Sequence, residues 1–396
     1  MTERTIGDFF DIKGGKRLPK GSSFSENKTP FPYLRVTDFQ RNGLKSEGIK
    51  YIDAVVQSKI KRYTIDSGSV YISIAGTIGI VGIVPDEFNG ANLTENAAKF
   101  VPKKGFQVHN KFLSYLLNSY EVQRIIESKT MAVGVPKLAL FRIQEIPIIL
   151  PPLSTQKKIA AILDAADMYL KKTKTLIEKY DQLAQSLFLD MFGNVKGEKI
   201  RLDECCEINP KKSEIAHIDK DTEVSFVPMS NVSIKGELIL TEIRSLFEVW
   251  NGFTYFQEND VVFAKITPCM ENGKGAIMHN LKNKIGFGTT EFHVLRPIPS
   301  LTTSSWLYYL TSNNKFRKQA EKNMTGSAGQ KRVPTDFFSK YKVICPAITI
   351  QNQFAKRIEL IDQQKQQAQA SLQKAEELFN SLLQKAFKGE LVSLPI

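Results

Sequence analysis

The chain of 396 residues is too long for one ordinary core, and 42% hydrophobic with 24% charged residues describes a folded protein rather than a disordered one. A formal charge of +13 and a pI near 9.3 favour a polyanionic partner, nucleic acid first and an anionic membrane second. The start MTERTIGDFFDIKGG lacks the basic and apolar regions of a signal peptide, no stretch suits a membrane helix, and four cysteines show neither metal nor disulfide spacing, so a cytoplasmic, reduced protein is expected.

Residues 1–150 open with the short amphipathic element TIGDFFDI and a basic turn, KGGKRLPKG, from Lys13 to Gly21. YLRVTDF at Tyr33, SGSVYISIAGTIG at Ser67 and LTENAAKFVPK at Leu93 read as strands, and Val70 to Val84 as two buried strands broken at Gly76 and Gly79. FLSYLLNSYEVQRIIESK reads as one amphipathic helix. From Pro151 the chain changes character: PPLSTQKKIAAILDAADMYLKKTKTLIEKYDQLAQSLFLDMF is a long helix. Ile159, Leu163, Ala166, Leu170, Thr173, Ile177, Tyr180, Ala184, Leu187 and Met191 alternate at spacings of four and three, the seam of a coiled coil.

Residues 194–345 repeat the first plan with different loops. IRLDECCEI, the basic turn NPKK, FVPMSNV, ENDVVFAKITPCMENGKG, TTEFHVLRP and the helix SWLYYLTSNNKFRKQAEKN follow in the same order. The second long helix, PAITIQNQFAKRIELIDQQKQQAQASLQKAEELFNSLLQKAF from Pro346, overlies the first without a gap after a shift of 195 residues. Its seam, Phe354, Ile358, Ile361, Lys365, Ala368, Leu372, Ala375, Phe379, Leu382 and Ala386, keeps the same register. Ser154 and Thr349 occupy matching N-cap positions, and Gly193 and Gly389 mark the ends. Each helix is the natural partner of the other. Because about 150 residues separate them, the pair is expected to be antiparallel, with one α/β domain at each end. A helix of roughly 37 residues would be about 55 Å long.

No catalytic centre emerges. His109, His217, His279 and His293 are scattered, GTIGIVG at Gly76 lacks the lysine of a P-loop, and Asn209-Pro210 is followed by two lysines rather than the Pro-Tyr of an amino-methyltransferase. Cys205, Cys206 and Cys269 have no neighbouring histidine and read as small core or loop residues. What remains are polar, basic loops. In the first domain Lys16, Arg17, Lys20, Arg35, Thr37 and Lys137 are candidates for DNA contact. In the second they are Lys211, Lys212, Ser230, Asn231, Lys265, Asn272, Lys274, Gln330, Lys331 and Arg332. Lysine and arginine neutralise phosphates, while Arg, Asn and Gln can pair with base edges.

The two helix starts PPLSTQKKIAAILD and PAITIQNQFAKRIELID, each fed by a strand (IPIILP, YKVICP), resemble those of the specificity (S) subunits of type I restriction–modification systems, and ITPCMENGKG is similar to a recurrent loop of that family. The resemblance covers essentially the whole chain. It implies target recognition domains at 1–150 and 194–345, with spacer helices at 151–193 and 346–396. It also implies double-stranded DNA as ligand and two methyltransferase (M) subunits docked on the helices. Those subunits would bring S-adenosylmethionine and the catalytic residues, and restriction (R) subunits would join through them. This chain itself would bind no cofactor and no metal. A DNA-binding scaffold from another defence system is the alternative reading.

Overall fold

A computed structural model describes residues 4–45, 47–130, 136–327 and 329–391, and it divides into two compact units. The first comprises residues up to Lys172 together with the chain from Ser371 onward; the second runs from Thr173 to Ala370.

The first unit carries two four-stranded sheets. One is ordered Phe10–Gly14, Ala97–Pro102, Val70–Ser73, Val81–Ile83, all antiparallel. The other is ordered Lys50–Tyr51, Pro32–Leu34, Ala91–Leu93, Thr64–Ile65, with a parallel pair at its centre. The stretch from Val70 does form two strands, and Gly76 and Gly79 between them have φ of 76° and 85°, conformations that glycine adopts without a Cβ penalty.

The second unit repeats this topology strand for strand. Its antiparallel sheet runs Cys206–Ile208, Phe292–Pro297, Val261–Ala264, Gly275–Ile277. Its mixed sheet runs Glu242–Ser245, Glu223–Val227, Ile285–Gly288, Thr254–Gln257, again with the central pair parallel. Short antiparallel pairs, Arg4–Thr5 with Pro147–Ile148 and Ile200–Arg201 with Lys342–Val343, bring the start of each domain to the strand that feeds a long helix.

Each domain has two helices where the sequence suggested one: Asn110–Leu117 and Tyr120–Lys129, then Ser304–Ser312 and Asn314–Lys322. The apolar spacing runs through the break, but asparagine caps it. The Asn118 side chain turns to the Ser114 and Val81 carbonyls, and Asn313 both ends one helix and accepts from the Lys315 amide of the next.

The long helices are Leu153–Phe192 and Ile348–Phe387, 40 residues each and so about 60 Å long at 1.5 Å per residue. Ser154 and Thr349 are not N-caps but lie inside the first turn. The helices start earlier because the Pro152 and Ala347 carbonyls already accept from the Gln156 and Gln351 amides, at 3.0 and 3.2 Å. Every expected seam residue is buried or half-buried, including Ile159, Leu163, Ile177, Leu187, Phe354, Ile358, Leu372 and Leu382. In the first unit Ile159 and Leu163 share a core with Ala386, Phe379 and Leu382. In the second, Phe192 and Phe188 pack on Phe354 at 5.1 and 5.7 Å, and further along Lys365 meets Asp181 at 2.6 Å, an antiparallel pairing. The polar seam residue Lys365 is thus neutralised where it is buried. Burial pushes the Asp181 carboxyl up, but hydrogen bonds from Lys365 and Lys235 outweigh it and hold the group below the usual carboxylate range.

Both domains are fixed to their helix by the same buried side chain. Gln156 accepts from the His109 amide at 2.8 Å and donates to the Pro151 carbonyl at 2.8 Å. Gln351 accepts from the Thr303 amide at 3.0 Å and donates to the Pro346 and Leu301 carbonyls, each at 2.8 Å. A glutamine offers both a donor and an acceptor, so one side chain ties the helix entry to the domain without leaving a buried polar atom unpaired.

Candidate nucleic-acid interface

In the first unit the basic turn folds back over the segment that precedes the central strand Ala97–Pro102. The Gly15 amide donates to the Ala97 carbonyl at 3.0 Å and the Lys16 amide to that of Leu93 at 2.8 Å. A Cβ on Gly15 would fall 2.1 Å from the Leu93 oxygen, so only glycine permits this approach. The Tyr33 hydroxyl donates to the Lys16 carbonyl at 2.7 Å, and the Lys16 ammonium lies 5.8 Å from the Tyr63 ring centre. Arg17 Nε donates to Glu95 Oε1 at 2.5 Å while its side chain remains 79% exposed. Burial raises the Glu95 carboxyl, but hydrogen bonds from Arg17, the backbone and Thr94 hold it below its ordinary value, so it stays ionised. Lys20 is exposed further along the turn. Lys137, also exposed, bridges to Ala75, whose neighbour Ile74 donates to the Asn96 carbonyl at 2.8 Å. Lys16, Arg17 and Lys137 therefore gather around residues 93–97. Arg35 does not join them: its guanidinium grips Asp38 at 2.7 and 3.1 Å and the Gly48 carbonyl at 2.9 Å. Thr37 is exposed beside it, its hydroxyl 3.4 Å from Asp38.

The second unit brings together segments far apart in sequence. The Thr267 amide donates to the Lys331 carbonyl at 3.0 Å and the Val333 amide to that of Lys265 at 2.9 Å, so the ribbon 330–333 runs along the chain that leaves strand Val261–Ala264. Ala328 of this basic loop lies outside the described residues. Arg332 donates from Nε and Nη2 to Glu291 at 2.9 and 3.0 Å, and from Nη1 to the Gln330 carbonyl at 3.0 Å. Gln330 and Lys331 are exposed.

Beside the ribbon lies a cleft of about 260 Å³ lined by Asn209, Lys212, Tyr255, Lys265, His293 and Thr335 among others. Its back wall is His293, whose pKa burial pushes down to about 4. The ring is therefore neutral: Nε2 donates to the Val333 carbonyl at 2.7 Å and Nδ1 accepts from the Asn209 side-chain Nδ2 at 3.2 Å. Lys211 is exposed, whereas Lys212 turns inward to the Trp250 carbonyl. A second group forms around Lys274, which donates to the Met229 carbonyl at 3.0 Å and so ties the loop holding exposed Asn272 to exposed Ser230. Asn231 braces that turn by donating to the Ile239 carbonyl at 2.9 Å and the Thr241 hydroxyl at 3.1 Å.

Ten of the sixteen candidates fall into two sets. Arg17, Lys20, Lys137, Lys211, Gln330 and Lys331 keep their polar ends outward, whereas Arg35, Lys212, Asn231 and Lys274 hold loops in shape. Sequence reasoning missed Glu95 and Glu291. Their signal was the glutamate present in both repeated segments, LTENAAKF and TTEFHVLRP. The positive charge sits on the domains: residues 1–150 hold 21 lysines and arginines against 14 acidic residues, and 194–345 hold 21 against 17, while the helices are nearly neutral. Among the described residues no group of three or more His, Cys, Asp or Glu could hold a metal ion, and no helix is long and apolar enough to cross a membrane.

Two copies of one mixed-sheet domain, each joined to a 40-residue helix and each presenting basic loops, define a duplicated two-domain protein. The family model for the type I restriction modification DNA specificity domain matches residues 1–179 and again 194–377, and the chain belongs to that family. It is 41% identical over 191 residues to the type I restriction enzyme EcoEI specificity subunit of Escherichia coli and 41% identical over 187 residues to that of EcoAI. These matches cover 47% and 46% of this chain but 32% and 31% of those proteins, so the chain matches about a third of the length of these relatives. Identity to the MjaVIII specificity subunit of Methanocaldococcus jannaschii is 23%, over 96% of this chain and 90% of that one. The fold is similar to the crystal structure of the type I restriction–modification S subunit from M. genitalium, with a TM-score of 0.53 and 17% identity over 98% of this chain and 96% of that chain. A chain from a structure addressing complex assembly and conformational transition of the type I system gives a TM-score of 0.58 and 16% identity over 98% of both chains.

Proposed function

We propose that this chain is the DNA sequence-specificity subunit of a type I restriction–modification complex and carries no catalysis of its own. The observation that supports this most is the duplication: the same strand order occurs twice, and each copy gathers basic loops around a glutamate ahead of its central strand. Residues 1–150 and 194–345 are then target recognition domains, each reading one half of a bipartite site in double-stranded DNA. Exposed Lys20, Lys137, Lys211 and Lys331 meet phosphates, which supply affinity, while loop arginines and amides read base edges.

The helices, within 151–193 and 346–396, set the spacer between half-sites and dock two methyltransferase subunits. Those partners bind S-adenosylmethionine, transfer the methyl group and recruit the restriction subunits, and the whole complex works in the cytoplasm. The first long helix supports docking: Ile162, Tyr169, Leu176 and Leu183, at every seventh position and off the seam, are all exposed. Exchanging residues 1–150 for the corresponding domain of another specificity subunit tests the reading. Methylome sequencing of the host should show one half-site changed and the other intact; a change in both would sink it. A seven-residue deletion from both helices should alter only the spacer.

A further inference from the structure

Two arginines from different loops end on carboxylates in the same place. Arg17 belongs to the turn after the first sheet strand of its domain, and Arg332 to the ribbon that follows the second small helix. In the first domain the place of Arg332, as bridge partner of the residue leaving the central hairpin, is held by Lys137. Yet Glu95 stands two residues ahead of Ala97–Pro102, and Glu291 one residue ahead of the matching strand Phe292–Pro297. The acceptor is common to both domains, while the donor has changed loops.

The hydrogen-bond pattern separates these arginines from Arg35. A guanidinium has five donors in a rigid fork. Arg35 commits its Nε and Nη2 to Asp38 and shares Nη2 with the Gly48 carbonyl, and it is half-buried. Arg17 commits Nε alone, leaving both terminal nitrogens without a partner among the described residues. Arg332 is held at Nε and Nη2 by Glu291 and at Nη1 by a carbonyl of its own loop, so one hydrogen on each terminal nitrogen is left over, and its side chain is 42% exposed. A carboxylate on the Nε side leaves the terminal edge for the O6 and N7 acceptors of guanine. It also cancels much of the charge that would draw the arginine to the nearest phosphate. A neutralised, immobilised fork contributes little to counterion release and loses little freedom on binding, so its contribution goes to discrimination.

We infer that Glu95 and Glu291 are positioning residues for base reading: each clamps the Nε side of a loop arginine, Arg17 or Arg332, and aims its terminal edge at one guanine in its own half of the site. This rests on the DNA-reading function proposed above. It differs from a purely structural role in sign. Removing a carboxylate that only stabilises the fold weakens binding to every sequence, whereas removing an aiming carboxylate frees a cation, which strengthens binding to random DNA and blurs one base position.

The test uses the full chain co-purified with its methyltransferase partner, in competition binding on matched and single-mismatch duplexes at several salt concentrations. Glu95→Gln should lower discrimination at one guanine of one half-site about tenfold. It should also tighten binding to random duplex, steepen the salt dependence by about one, and leave the other half-site and the melting temperature unchanged, since an exposed pair stabilises a fold little. Glu291→Gln should do the same in the other half. Arg17→Ala, on an exposed side chain, should blur the position that Glu95→Gln blurs. Uniform weakening on all duplexes, or base preferences unchanged in Glu95→Gln and Arg17→Ala, would overturn the inference while leaving the DNA-reading function standing. A wild-type complex with no sequence preference would overturn both.

Discussion

In the first domain the neutral groups Tyr71, Ser114, Asn118 and Asn42 satisfy one another and the backbone, and the buried carboxylate Asp38, 2% exposed, is held by its sequence neighbour Arg35. The Tyr71 hydroxyl donates to the Gln40 and Gly43 carbonyls, and burial pushes its pKa far up; Ser114 and Asn118 donate to Asn42 at 3.2 and 3.1 Å. In the second domain an ion network instead joins segments far apart in sequence. Arg296 makes two bonds of 2.8 Å to Asp260, which is 1% exposed, and one of 2.6 Å to Glu214. Sheet order and the Gln156 and Gln351 braces are the same in both. What stays constant lies where a domain meets its long helix, because both domains meet the same structure there. What differs lies under the loops, whose own conformations dictate which buried groups need a partner.

The contrast can be broken by experiment. The largest effect is expected from Asp260→Ala, which leaves Arg296 without its buried partner and should cost the second domain about 3–5 kcal/mol. Hydrogen exchange should show amides of 223–297 losing protection while those of 10–102 keep theirs; equal losses would mean that the domains do not fold as separate units.

Acid comes next. His293 has a folded pKa of about 4, below its unfolded value. Between these values the unfolded chain holds more protons, so the second domain loses stability as pH falls from about 6.5 toward 4, by about 3 kcal/mol at most. His293→Gln should flatten that pH dependence in urea unfolding. Gln156→Leu and Gln351→Leu should each cost about 1–3 kcal/mol, since each strands a backbone donor and at least one carbonyl, and here thermal melts should show both domains suffering. Unequal costs would mean that the shared brace carries different loads. The smallest effect is Lys331→Ala, expected to weaken all duplexes alike and to lower the salt slope of binding by about one.

Local signals were legible and distant ones were not. The helix seam could be read because spacings of four and three are facts about neighbouring residues, and even Thr173 and Lys365 are buried or half-buried where the register places them. Strands such as Val70–Ser73 announced themselves by β-branched runs between glycines. The helix breaks were hidden because apolar spacing continues through Asn118 and Asn313, where capping wins. Arg17 and Glu95 are 78 residues apart, and Arg332 and Glu291 are 41. No periodicity encodes such a pair. Lys212, Lys274 and Arg35 looked like free loop cations because composition counts a charge without its partner; each is committed to a carbonyl or carboxylate of its own domain.

The end of the second long helix belongs to the first unit. Phe387 packs on Phe112 at 5.6 Å, Phe379 on Tyr115 at 6.2 Å, and Ala386 is buried in the core that Ile6 and Phe10 begin. During synthesis the first domain therefore emerges with a wall missing, while residues 173–370 already contain everything their own core needs. Completion runs opposite to translation, and the half made first waits longest with apolar surface uncovered. A stop codon just after residue 370 would spare the whole second unit and open the first. In such a protein, damage to the end of the second long helix should first be felt by the first unit.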